Sequence, residues 1–225
     1  MVTTGQGRDD NGMNNTEIVD LFKKCSVSFP HYPKKLYGTT GQFLEDAAII
    51  CGGKPATNEC FALGKNGSFE SIDQMKEARY LAESIVTQGR VWVVGGYDKN
   101  GKVLSSTEYI PKISNSEPPN LPEPVQYFSI ISINETTSIL IGGANQHRSH
   151  SSKTFYFNHQ TNIWKDGPRL INGRYDHSAG VITDHVTHKQ HIAVVGGETL
   201  INPKDTDDVE LLFNGETQWK KGIYF

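Results

Sequence analysis

Val91-Trp92-Val93-Val94-Gly95-Gly96 is a short apolar run that ends in two glycines, and it decides the fold class. Similar runs end at Gly52-Gly53, Gly142-Gly143 and Gly196-Gly197, and a degraded copy stands at residues 2–7. Short runs of β-branched and aromatic residues bounded by glycine are typical of β-strands. The recurrence of such a run along the chain therefore predicts an all-β protein assembled from repeated units.

Further strands are predicted around each glycine pair. A second strand follows the pair after a polar turn and carries a recurring residue: Glu17, Glu59, Phe155 (in place of glutamate), Glu108 and Glu210. A third strand carries a large side chain or a cysteine, at Cys25, Phe69, Trp164 and Trp219. Another strand precedes each later pair, at residues 79–86, 126–131 and 174–182, and residues 71–81 are predicted to form a turn. Four strands recurring at intervals of roughly 40 to 55 residues are typical of propeller blades.

The copy from Ile139 to His177 resembles the kelch repeat. The resemblance lies in Gly142-Gly143, Tyr156, Trp164, Gly167-Pro168 and Arg174, which follow one another in that order. Other copies match less completely, and together they extend the resemblance over nearly the whole chain. It implies a β-propeller, a fold whose members mostly bind other proteins and serve in ubiquitin-ligase adaptors and actin scaffolds.

The resemblance implies a single domain over residues 1–225, with about five visible blades of four antiparallel strands. The expected blades cover residues 1–35, 36–72, 79–118, 125–168 and 174–225, and the first lacks one strand. Open blade edges are a hazard for a propeller. We therefore expect the chain to be part of a six-bladed ring, with a self-closed ring of five blades as the alternative.

Composition and charge exclude several classes of function. Of the 225 residues, 36% are apolar and 21% charged, and the formal net charge is −3. This balance disfavours a dedicated surface for nucleic acid or anionic membrane. The start of the chain shows no basic leader or apolar segment typical of a signal peptide. The compartment stays open, with the cytoplasm slightly favoured over export.

The loops after the glycine pairs are the candidate binding surface, because repeat proteins place variable insertions on one face. We expect a protein partner to contact residues of two such loops and two arginines ahead of a blade: Tyr97, Asp98, Lys99, His147, Arg148, His150, Arg79 and Arg174. The recurring glutamates are expected to make one local hydrogen bond several times. No catalytic residue, cofactor or metal is expected.

Three observations leave alternatives open. Cys51 and Cys60 flank a Gly-Gly turn, and they are either buried thiols or a cross-strand disulfide in an exported protein. Asn-x-Ser/Thr sequons at Asn14, Asn66 and Asn134 are too few to separate these alternatives. His185, His188 and His191 form either a solvated loop or a metal site. A copper enzyme of the galactose oxidase type is a further alternative, with Tyr97, Tyr109, Tyr156 and Tyr175 as available tyrosines.

Overall fold

The computed structural model describes residues 13, 16–20, 25–112, 117–200 and 207–222. Within these ranges all regular structure is strand, and every strand pair is antiparallel. The part of the chain that is described contains no helix able to cross a membrane. The degraded repeat at residues 2–7 and the side chains of Glu17 and Cys25 lie outside the described residues. The all-β prediction is confirmed, and the strands form four-stranded sheets together with smaller ones.

The chain divides into two compact units, residues 1–102 with 107–118 and residues 103–106 with 119–225. The strands of the first unit form a two-stranded, a four-stranded and a three-stranded sheet: β1 (Thr16–Asp20) and β2 (Cys25–Phe29); β3 (Thr40–Leu44), β4 (Ala47–Cys51), β5 (Thr57–Leu63) and β6 (Phe69–Arg79); β7 (Glu83–Thr87), β8 (Arg90–Val94) and β9 (Thr107–Ile110). Neighbours along the chain pair with one another in each sheet, as expected of a meander.

The second unit also consists of antiparallel sheets. Its sheets are two of four strands and one short pair: β10 (Ser129–Asn134), β11 (Thr137–Ile141), β12 (Thr154–Asn158) and β13 (Ile163–Asp166); β15 (Ser178–Thr183), β16 (Gln190–Val195), β18 (Val209–Leu212) and β19 (Lys220–Lys221); β14 (Arg174–Tyr175) with β17 (Glu198–Thr199). In the expected blade at residues 79–118 the described strands number three, with residues 113–116 outside the description.

Apolar cores fill the space between neighbouring sheets within each unit. In the second unit Ile139 and Ile141 of β11 pack with Ile192 and Val194 of β16, and Trp219 joins the same cluster. The Trp219 indole Nε1 donates a 2.8 Å hydrogen bond to the carbonyl oxygen of Pro168. Trp219 therefore packs in the space between these two sheets.

First strands of successive sheets lie side by side in each unit. The Thr40 hydroxyl of β3 donates to the Ser84 hydroxyl of β7 at 2.7 Å. In the second unit, the Ser129 hydroxyl of β10 donates to the carbonyl of His177 just before β15, at 3.0 Å. Polar contacts between first strands and apolar contacts between second strands thus recur in both units.

The turn predicted for residues 71–81 is wrong, because β6 runs without a break from Phe69 to Arg79. Two irregularities in its register with β5 let this long strand follow its partner. Side chains on opposite sides of a strand alternate, and Met75 and Arg79 are the buried ones in the second half. The strand thus continues past residue 72, where the expected blade at 36–72 ends.

Candidate functional site

A backbone bridge follows every glycine pair. The residue directly after each pair exchanges hydrogen bonds with a residue ahead of the first strand of the same sheet. The bridged pairs are Tyr37 with Lys54, Tyr80 with Tyr97, Gln126 with Ala144, and Tyr175 with Glu198. The sheet pairing therefore resumes past the glycines, and each bridge places two side chains at the loop end of its sheet.

A left-handed residue follows the first member of every bridge. These residues are Gly38, Leu81, Tyr127 and Asp176, with φ values of 63°, 51°, 52° and 55°. Non-glycine residues adopt this conformation uncommonly, so its recurrence at one place marks a built feature of the repeat. It also explains why the strand predicted at 79–86 is interrupted and β7 begins only at Glu83.

Aromatic rings and one cation gather at the bridges of the first unit. The Tyr80 and Tyr97 rings are stacked, with centroids 5.2 Å apart and planes 14° apart. The Lys54 ammonium lies 5.1 Å from the Tyr80 ring centroid and 5.7 Å from that of Tyr37. A cation over aromatic rings is held electrostatically and remains available to solvent on its other side. Lys54 is exposed, whereas the three tyrosines are half-buried.

Asp98 shapes the loop that follows Tyr97. Its carboxylate accepts hydrogen bonds from the amides of Asn100 and Lys102, at 2.8 and 2.9 Å. The bond from the Lys102 amide is the main reason why the pKa of Asp98 is lowered. The neighbouring Lys99 is exposed. Of the predicted contact residues in this loop, Asp98 therefore maintains the turn and Lys99 presents its side chain to solvent.

Asn145 shapes the equivalent loop of the second unit in the same way. Its side-chain oxygen accepts from the amides of His147 and Ser149, at 2.9 and 3.1 Å. Arg148 has a φ of 57°, at the place occupied by Gly101 in the first unit. His147 and Arg148 are exposed. The backbone of both loops is fixed by an Asx turn, which leaves the tip side chains free to differ.

His150 lies against the bridge between Tyr175 and Glu198 in the second unit. Its ring centroid is 4.7 Å from that of Tyr175, and its Nε2 is 3.6 Å from Glu198 Oε1. The side-chain hydrogen bond from Tyr175 to Glu198 is the first cause that raises the pKa of Tyr175 to about 12. The bridge position thus holds a phenol, a carboxylate and an imidazole in contact.

A groove of about 430 Å³ adjoins this loop in the second unit. Its lining includes His147, His150, Glu123, Lys153 and Arg169. Lys153 forms a 2.5 Å ion pair with Glu123, while Arg169 is exposed. The groove therefore presents hydrogen-bonding groups and cations beside apolar residues such as Pro124 and Val125, and its one carboxylate is already paired.

Arg79 and Arg174 do not belong to a contact surface, and this prediction is wrong. Both side chains are 0% exposed. Arg79 donates to Glu108 at 2.7 Å and to the carbonyl of Gly95 at 2.8 Å. Arg174 donates to Glu210 at 2.7 Å and to the carbonyl of Gly196 at 2.8 Å. Each arginine instead ties the glycine pair that ends β8 or β16 to the recurring glutamate of β9 or β18.

Two of the four recurring glutamates make the same hydrogen bonds, as predicted, whereas Glu59 does not and the Glu17 side chain lies outside the described residues. Glu108 accepts from the amides of Lys76 and Glu77, and Glu210 accepts from the amides of Ile171 and Asn172. Glu59 differs, because its partners are Lys34 and the Thr57 hydroxyl. The interaction with Lys34 is the main reason why the pKa of Glu59 is lowered.

The copy that lacks the glutamate also lacks the arginine. Phe155 replaces the glutamate, and Val125 stands where two other copies have Arg79 and Arg174 and the copy with Glu59 has Leu36. Phe155 and Val125 are both buried. Pro122 occupies the position of Lys76, and proline has no amide that would need an acceptor. The ion pair and its amide donor are thus exchanged together for apolar groups.

Cys51 and Cys60 are joined by a disulfide. They face each other directly in the β4–β5 register, and both are buried between the sheets of the first unit. Of the two alternatives that the sequence left open, the structure has the cross-strand disulfide.

The histidines near the β15–β16 turn do not converge. His185 and His188 are exposed, whereas His191 is buried and its Nδ1 accepts a 3.1 Å hydrogen bond from the Asn214 amide. Within the described ranges no group of three or more His, Cys, Asp or Glu side chains could hold a metal ion. Among the tyrosines of the copper-enzyme alternative, Tyr109 packs under Arg90, whose guanidinium carbon is 3.8 Å from its ring.

Sequence reasoning missed the bridge residues that flank the predicted loops. Tyr80, Lys54, Glu198 and the groove residue Arg169 were not predicted as contact residues, and Tyr175 was considered only among the tyrosines of the copper-enzyme alternative. Aligning the copies on their glycine pairs would have found Lys54 and Glu198, because each stands directly after a pair. Arg169 carries no repeated signal, because only the path of the chain after β13 brings it to the groove.

No protein-family model matches the chain, and a search of curated proteins finds no significant relative. The assignment of function consequently depends on the geometry described above.

Proposed function

We propose that the chain is a kelch-type propeller segment that acts as a non-catalytic protein-interaction module. Support comes from the geometry repeated at the four glycine pairs: the bridge, the left-handed residue and, in two copies, the buried arginine–glutamate pair. The side-by-side first strands within each unit are the arrangement expected of neighbouring blades. All these features support an interaction scaffold, because they fix sheets and leave the loop tips variable.

The partner binds, in this proposal, at the loop end of the second unit. The observation that carries this assignment is the groove of about 430 Å³ beside the exposed loop that contains His147 and Arg148. Its amide and hydroxyl groups suit an extended backbone, and Arg169 suits a carboxylate of the partner. Arginine beside polar loop residues is a common anchor in protein interfaces.

Binding by variants tests this surface. The partner is recovered from the source tissue with the full-length protein, and its affinity is then measured for purified variants. We expect His147→Ala combined with Arg169→Ala to weaken binding at least tenfold. The matched control is His185→Ala with His188→Ala, two exposed histidines in the turn at the opposite end of a sheet. Equal affinity for both double variants would exclude the groove as the site.

The disulfide favours an exported interaction module over an intracellular ubiquitin-ligase adaptor. A ubiquitin-ligase adaptor works in a reducing compartment, whereas stable disulfides are typical of exported proteins. We propose that the module works outside the cytosol, because Cys51 and Cys60 are bonded and buried. This version is tested by titrating free thiols in protein that is isolated from its source and denatured without reducing agent. Cys51 and Cys60 should be unreactive before reduction, and two reactive thiols at these positions would contradict the proposal.

A further inference from the structure

Two Asn-x-Ser/Thr sequons lie at exposed hairpin turns. Asn66-Gly67-Ser68 connects β5 to β6, and Asn134-Glu135-Thr136 connects β10 to β11. The asparagine side chain is exposed in both cases. The third sequon, at Asn14, lies outside the described residues. Exposed asparagines in this motif are acceptors for N-linked glycans in the secretory pathway.

Topology places both sequons away from the glycine pairs. The chain leaves Gly52-Gly53, runs along β5 and only then reaches Asn66 at the other end of that strand. Asn134 likewise ends β10, whereas Gly142-Gly143 follows the far end of β11. In the second unit, therefore, the sequon and the loop proposed for the partner stand at opposite ends of the same sheet.

The surroundings of both asparagines leave room for a bulky group. A Cβ built on Gly67 would meet nothing within 4 Å, so the space beside Asn66 is open. Asn134 uses only its carbonyl oxygen, which accepts from the Thr136 amide at 2.9 Å and the Thr136 hydroxyl at 3.0 Å. Neither side chain is buried in a core cluster, so a hydrophilic glycan stays in water.

We propose that Asn66 and Asn134 carry N-linked glycans. In the transfer, the side-chain nitrogen attacks the first sugar carbon of an oligosaccharide linked to a polyisoprenyl diphosphate. A nitrogen–carbon bond forms, the bond from carbon to the diphosphate oxygen breaks, the polyisoprenyl diphosphate leaves, and the amide loses one proton. This inference rests on the proposed extracytosolic version of the function, which supplies the compartment where that donor is found.

Peptide mapping of the protein isolated from its source tests the inference. Treatment with peptide N-glycosidase in ¹⁸O-water should convert Asn66 and Asn134 to labelled aspartate. Unmodified peptides together with an intact Cys51–Cys60 bond would overturn the glycosylation but leave the compartment standing. Unmodified peptides together with free Cys51 and Cys60 thiols would overturn both.

Variants expressed through the secretory route of insect cells provide an independent test, in a chain that also carries Asn14→Gln. Asn66→Gln and Asn134→Gln should each remove the mass of one glycan, and Thr136→Ala should reproduce the second loss. Asn100→Gln is the control, because Asn100 is exposed in a turn but stands outside a sequon. A loss of mass in the control, or none in the sequon variants, would contradict the proposal.

Discussion

The arginines of the arginine–glutamate pairs stabilise the fold, although the sequence suggested that they contact a partner protein. Arginine is common among the residues that anchor protein interfaces, so an arginine next to a loop of the repeat suggested a contact with a partner. Burial shows that the role is structural, because a charged side chain that is 0% exposed needs an opposite charge and hydrogen-bond partners inside the protein. Arg174 finds those partners in Glu210 and the carbonyl of Gly196.

Removing one member of the Arg174–Glu210 pair should destabilise the folded protein. We expect Arg174→Leu to lower the free energy of unfolding by about 3–5 kcal/mol, because Glu210 would remain buried without its cation. Arg169→Leu is the matched control and should change stability by less than about 0.5 kcal/mol, since this side chain is exposed. Urea denaturation of both variants measures the difference. Similar values for the two would contradict the structural role.

His177 should make stability depend on pH. Burial, and then the nearby Arg174 charge, lower the pKa of His177 to about 4, against about 6.5 when unfolded. The unfolded chain therefore takes up a proton at higher pH than the folded one. The His177 contribution is complete above pH 6.5 and decreases by roughly 3 kcal/mol as pH falls to 4.

Comparison of variants isolates this titration from that of the carboxyl groups. Unfolding is followed between pH 7.5 and 4 for the wild type, His177→Gln and His188→Gln. The His177→Gln profile should be flatter than that of the wild type, whereas exposed His188 should leave the slope unchanged. Parallel profiles for the wild type and His177→Gln would show that His177 does not titrate as described.

At the scale of the element, each glycine pair bends the chain into close contact with the next segment. Gly143 has a φ of 92°, and a Cβ there would lie 2.6 Å from Val125 Cγ2 and 2.7 Å from the carbonyl oxygen of Gln126. Only glycine combines this φ with so close an approach. The Gly-Gly motif is therefore a requirement of the bridge that follows it.

Alanine substitutions test that requirement. Gly143→Ala should lower the free energy of unfolding by roughly 2–5 kcal/mol, through backbone strain and steric overlap. Gly180→Ala in β15 is the control, because its Cβ would meet nothing within 4 Å. The control should be neutral or slightly stabilising, since alanine loses less entropy than glycine. Thermal and urea unfolding report both values, and a tolerated Gly143→Ala would contradict this account.

The strands followed from the sequence, but the interruptions between them did not. Short apolar runs ending in glycine predicted β4, β8, β11 and β16 to within a residue or two. The left-handed Leu81 and Tyr127 were missed because leucine and tyrosine are not turn residues, and Asp176 was missed because it stands inside the strand predicted at 174–182. Their conformation is imposed by the bridge, which depends on residues after the glycine pair.

The candidate site was predictable only in part, for the same reason. Loop tips such as His147 and Arg148 could be found by position, because variable loops follow the glycine pairs. The stacking of Tyr80 on Tyr97 and the groove at Arg169 depend on contacts between segments far apart along the chain. Burial of Arg79 depends on packing in the same way, and composition alone suggested the opposite.

At the scale of the whole molecule, the disulfide makes the free energy of unfolding depend on whether the surroundings are oxidising or reducing. Closing the short loop between Cys51 and Cys60 restricts the unfolded chain and should contribute roughly 2–3 kcal/mol. Cys51→Ala with Cys60→Ala should lower stability by at least this amount. Reducing agent should destabilise the wild type and leave the double variant unchanged. Calorimetry with and without reductant checks both expectations, and a wild type insensitive to reduction would contradict them.

The central claim is that a partner protein binds at the loop end of the second unit. A photo-crosslinking amino acid placed at position 147, and separately at position 188, tests it most directly in the presence of the source extract. Both positions are exposed, but they lie at opposite ends of their sheets. We predict a specific crosslinked partner from position 147 and none from position 188. The same partner captured only from position 188 would contradict the claim.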